Sequence, residues 1–196
     1  MRYVVAIAIA LAVAYFALGS REIARPDGVL APNAPVQEDT RPGDGPQWEI
    51  GAYQLRALAR FELDARVLSA EHYRLDREAE LSPVDLALGW GPMSANAVLA
   101  TLDISQGGRF FRWSAREPMI APSEITKHSA NMHMVPIDDH VRATLHAARK
   151  GNLVHIEGWL VEAKSSDGWR WRSSLTRADS GAGACELVLV ERITLD

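Results

Sequence analysis

The sequence predicts a mainly β domain with a few helices (α+β), and three features carry that expectation. Residues 57–68 alternate strictly: Ala57, Ala59, Phe61, Leu63, Ala65 and Val67 face one way, and Leu58, Arg60, Glu62, Asp64, Arg66 and Leu68 the other. That two-residue period is the mark of a half-buried strand. The stretch from Gly151 to Glu191 holds three further β-patterned runs, joined by the polar turn Ser165-Ser166-Asp167-Gly168 and a loop of small residues. A helical period is clear over 138–150: aspartates open the run, Val141, Thr144, Leu145 and Ala148 share a face, and Arg149, Lys150 and Gly151 close it.

Length and charge bound the possibilities. A chain of 196 residues accommodates one domain plus appendages. Its net charge of −4 lacks the basic footprint that phosphate neutralisation requires, so no nucleic-acid partner is expected. A single cysteine, Cys185, excludes an internal disulfide and multi-cysteine zinc patterns. No cofactor is indicated. Six tryptophans supply core area or ligand platforms.

Residues 3–18 form a charge-free apolar run behind Met1-Arg2, between the length of a secretory h-region and that of a membrane span. Residues 1–19 are therefore a signal anchor or a signal peptide, and the density of Ala, Val, Ile and Leu favours an uncleaved anchor. The expectation is a single pass through a bacterial inner membrane, made by residues 3–18, with the C-terminal domain in the periplasm. From 20 to 47 the chain carries Pro26, Pro32, Pro35, Pro42 and Pro46 and lacks aromatic residues, which reads as a flexible linker. As a free coil it would span on the order of 30 Å. The globular domain is then 48–196.

Within that domain, Ser82-Pro83-Val84-Asp85 reads as a capped helix start, ended by Trp90-Gly91-Pro92. Gln106-Gly107-Gly108 between β-rich runs reads as a hairpin, with Arg109, Phe111 and Trp113 on one strand face. Ser123–Lys127 fits one helical turn. The strand 153–163 is interrupted by Gly158, a bulge or tight bend. Trp169 and Trp171 alternate with Arg170 and Arg172, and the apolar run 187–190 belongs at the centre of a sheet. The resulting order has a helix between the third and fourth main strands. That is the layout of the OB-fold, so a small antiparallel OB-like barrel is the first expectation and a helix-covered antiparallel sheet the alternative.

Three constellations could carry chemistry. Cys185, preceded by small residues, is a candidate nucleophile with His133 or His128 as base, although a cysteine entering a buried strand more often serves as a small apolar residue. Ser173-Ser174 lacks the nucleophile-elbow motif. His128, His133, Asp138, Asp139 and His140 include metal-ligand types, but His128 and His133 are five apart and the aspartates have a helix-dipole explanation, so no metal is expected. Arg170, Arg172 and Arg177, with Asp179 and the tryptophans, could hold an anionic or ring-containing ligand through planar guanidinium forks. Pairing of these arginines with neighbouring carboxylates is an equal alternative.

The segments Ser129–Pro136 (SANMHMVP), Leu81–Ser94 (LSPVDLALGWGPMS) and Trp169–Arg177 (WRWRSSLTR) resemble parts of uncharacterised bacterial proteins with an N-terminal hydrophobic segment. The resemblance implies no particular activity. The sequence thus predicts a membrane-tethered, extracytoplasmic module that binds a cell-envelope ligand or a protein partner; the alternative is a cysteine-based hydrolase.

Overall fold

The computed structural model describes residues 22–41, 43–176 and 185–196. It is mainly β, and its principal sheet closes into a ring. The long strand β3 (Tyr53–His72) is preceded by two short ones, β1 (Val36–Asp39) and β2 (Gln47–Ile50). A one-turn helix α1 (Arg77–Leu81), strand β4 (Val84–Gly89), a 3-10 turn (Gly91–Ser94) and helix α2 (Asn96–Leu99) follow. Next come the hairpin strands β5 (Asp103–Gly107) and β6 (Phe110–Ser114), helix α3 (Pro122–Lys127), strand β7 (Ser129–Pro136) and helix α4 (Asp139–Ala147). Strands β8 (Leu153–Ser165), β9 (Arg170–Arg172) and β10 (Glu186–Leu195) complete the chain.

The ring runs β3-β4-β7-β10-β8 and returns to β3. Four of its five pairings are antiparallel; β7 and β10 are parallel, a departure from the expected all-antiparallel pattern. The parallel pair follows from the crossover through α4, since parallel neighbours need a long connection. Apolar residues of all five ring strands, among them Phe61, Leu86, Met132, Ile156 and Val188, meet in one core with Val141 and Leu145 of α4 and Ala148 at its C-terminal end. Asp138 caps that helix, its carboxylate accepting from the Val141 amide at 2.8 Å, as the sequence pattern predicts. The bend at Gly158 is where β8 crosses β10: a Cβ there would stand 1.9 Å from the Leu189 carbonyl oxygen, so only glycine allows the strands to approach.

Two local expectations are corrected. The helix start at Ser82–Asp85 is a strand start. The helix lies one turn earlier, capped by Asp76 through the Ala79 amide at 2.6 Å, and Val84–Gly89 is buried on both faces between β3 and β7. The turn of the 103–114 hairpin falls on Gly108 and Arg109, with φ of 59° and 69°, rather than on the two glycines. Positive φ at both central positions is the type I′ geometry that matches strand twist, and here an arginine accepts it.

The proline-rich segment read as a linker is, over its described residues, laid along the ring. The Ile23 amide donates to the Lys150 carbonyl, the Leu30 and Ala31 amides donate to Ser94 Oγ, and β1 pairs with residues 59–62 of β3. Among the described residues no helix is long and apolar enough to cross a membrane. The apolar run 3–18 lies outside them.

Candidate functional site

Two polar clusters stand out, each built on a carboxylate with no solvent exposure. The first is outside the ring core, where alternation along β4 and β7 turns Asp85 and His133, partners in register, away from the interior. The hairpin β5–β6 lies over this face through Ile104, Phe111 and Trp113, which pack with Ala87, Met93 and Ile125. Its tip inserts Arg109. That guanidinium donates to Asp85 Oδ1 at 2.8 Å, to Asp76 at 2.8 Å and to the Ser82 carbonyl at 2.9 Å, and stacks 3.8 Å above the Tyr73 ring. Asp85 Oδ2 is 2.9 Å from His133 Nδ1 without the alignment of a hydrogen bond, and the His133 ring packs on Trp171 at 4.7 Å.

Cys185 borders this cluster, its sulfur 3.9 Å from the Arg109 carbonyl oxygen. Burial, reinforced by Glu186 and Asp85 nearby, pushes its thiol up to about 11. A thiol so placed is protonated at neutral pH and is a poor nucleophile. His128 is elsewhere: it closes α3, its Nδ1 2.9 Å from the Glu124 carbonyl oxygen, with its ring against Gly91. Ser173 Oγ donates to the Ser174 carbonyl and accepts from the Leu187 amide, and Ser174 Oγ donates to the Thr176 carbonyl, so both hydroxyls are engaged in fastening the backbone. Among the described residues no three His, Cys, Asp or Glu side chains are grouped to hold a metal ion.

The second cluster lies where β3 and β8 extend past the ring and take β2 and β9 as outer neighbours. Register lines up two rows across these four strands: Gln47, Arg56, Glu162 and Arg172 in one, Glu49, Gln54, Lys164 and Arg170 in the other. Glu162 is fully shielded, and four cations converge on it. Arg56 Nε is 2.6 Å from Oε2, Arg172 3.3 Å from Oε1, Lys164 3.5 Å from Oε2, and Arg170 also binds Oε1. Burial opposes ionisation of this carboxyl, but the hydrogen bonds from Arg56, Arg170 and Arg172 outweigh it and hold it down at about 2.

The four cations remain 42–55% exposed, and they face only two carboxylates in the two rows, an excess of two positive charges (four minus two). Beside them is a cleft of about 270 Å³ lined by Thr40, Gly43, Gln47, Arg56, Arg172 and Leu175. Asp39 is on its wall, bound by Gln37 at 2.8 Å.

Arg170 and Arg172 are therefore together on one face, joined by Arg56 and Lys164, which the sequence did not single out because only strand register brings them there. Arg177 and Asp179 lie outside the described residues. Arg109, read as sharing a strand face with Phe111 and Trp113, is in the turn and points to Asp85. His133 and Cys185 border the same cluster, and His128 does not. No protein-family model, no curated protein and no solved structure matches this chain.

Proposed function

We propose that this chain is a membrane-tethered, extracytoplasmic binding module built on an OB-like barrel, and that its cationic face takes an anionic ligand of the cell envelope. The strand order around the ring, with a helix between its third and fourth strands in sequence, supports the OB-like reading. The observation that carries the binding reading is the gathering of Arg56, Lys164, Arg170 and Arg172 around one buried carboxylate. Glu162 orients them, and their remaining donors and exposure are open to phosphate or carboxylate oxygens. The raised thiol of Cys185 weighs against the cysteine-hydrolase alternative.

Titration calorimetry of the full chain with inorganic tripolyphosphate and with citrate tests this. Saturable binding that weakens with salt is expected. Arg170→Ala with Arg172→Ala should weaken it about tenfold or more, the worth of one or more charge-assisted hydrogen bonds. Unchanged binding in that variant, with the fold intact, sinks the proposal.

A further inference from the structure

The segment after the apolar run is bound to one end of the ring almost as soon as it begins. Only Gly19, Ser20 and Arg21 separate Leu18 from Glu22. Glu22 accepts from Lys150 Nζ at 2.9 Å and lies 3.4 Å from Arg66 Nη2. The Ile23 amide donates to the Lys150 carbonyl at 3.0 Å, and Arg25 donates to the carbonyls of Gly151 and Asp196. Asn96 then holds the Arg25 and Pro26 carbonyls, and the Gly91 amide holds the Ala31 carbonyl at 2.7 Å. Gly151 is shaped for this contact: its φ is +95°, and a Cβ there would stand 2.3 Å from the Ile23 carbonyl oxygen.

Chain length turns this docking into geometry. Four peptide steps from Leu18 to Glu22 reach at most about 14 Å, against on the order of 30 Å for a free linker of the whole 20–47 segment. The Gly151 end, with Arg149 and Lys150 exposed upon it, is thus held close to the bilayer surface. The cationic face is at the other end. Glu162 is nine residues along β8 from Leu153, at most about 30 Å at the rise of a strand and less for the bend at Gly158. Even with that bend the separation is longer than one screening length of about 8 Å, so the pull of charged headgroups of the anchoring membrane is weakened there.

We propose that residues 22–31 are an orienting strap. They fix the Gly151 end of the ring against the anchoring membrane and turn the cationic face outward, so the anion it takes belongs to a component beyond that bilayer's own headgroups. The inference rests on the tethered, anion-binding reading above and adds where the ligand comes from.

The test uses the full chain, in a Cys185→Ser background, reconstituted in phosphatidylglycerol-containing vesicles with acceptor-labelled headgroups. A donor dye is placed at Ala147→Cys, beside the strap, or at Ser166→Cys, in the turn beyond β8. Strong energy transfer from position 147 and several-fold weaker transfer from 166 is the expected result. A flexible Gly/Ser insertion after Arg21, or Gly151→Val to expel the strap, should bring the two signals together. Equal transfer from both sites in the uninserted, membrane-bound chain, or stronger transfer from 166, overturns the orientation and leaves the tether standing. Recovery of the chain only in the soluble fraction overturns the tether, and the orientation with it.

Discussion

Asp85 and Glu162 have the same side-chain burial, none of either being exposed, yet their surroundings differ. Asp85 meets one arginine, Arg109, itself mostly buried and shared with Asp76, so no cationic charge is left over for a ligand. Glu162 meets four cations that are each about half exposed. The first arrangement spends its charge on closing a hairpin over the ring. The second uses one carboxylate to marshal more positive charge than it can neutralise. A buried ion pair by itself therefore says little about function; what separates the two is the charge left over and whether water can reach it.

The sharpest way to break this contrast is to remove the buried arginine. Arg109→Ala strips the buried Asp85 carboxyl of its only arginine partner, and should cost about 3–5 kcal/mol in denaturant unfolding. A loss below about 1 kcal/mol would mean the hairpin is not latched by this pair. Glu162→Gln should destabilise less, because its partners can turn to solvent, but it should disorder the cationic face and reduce tripolyphosphate affinity.

The pH dependence follows from the same group. Its folded pKa, about 2, lies below the ordinary 4.5, so its stabilising contribution is complete above about 4.5 and is lost as pH falls towards 2. Melting temperatures of wild type and Glu162→Gln should converge over that interval; parallel curves would contradict the network. Arg170→Ala with Arg172→Ala should change stability by no more than about 1 kcal/mol, since half-exposed ion pairs are weak, while binding falls. The smallest effect belongs to Cys185→Ser, expected to leave tripolyphosphate binding unchanged. Iodoacetamide should modify the native thiol far more slowly than the unfolded one, and rapid native labelling would revive the hydrolase alternative.

Elements with one wet and one dry face were readable from the chain. The alternation over 57–68, the capped helix after Asp138 and the bend at Gly158 each have a local cause that survives folding. Val84–Gly89 was not readable, because a strand buried on both faces has no alternation to show. Its leading Ser-Pro also imitates a helix start. The cationic face was half readable: the alternation at 169–172 separates arginines from tryptophans, but only the register of β3 on β8 brings in Arg56 and Glu162. The docking of residues 22–41 was not readable from composition, since much of it runs through backbone amides and carbonyls, which any sequence possesses.

The stretch of chain that follows the strap has an effect of its own. β1 covers residues 59–62 of β3 on the side not taken by β8. A chain shortened to begin at Trp48 would bare that edge, a row of unpaired amides and carbonyls beside a large apolar core. Such an edge recruits strands from other molecules. The shortened protein should therefore self-associate or exchange strands between copies, and adding back a peptide spanning residues 22–41 should reverse that association.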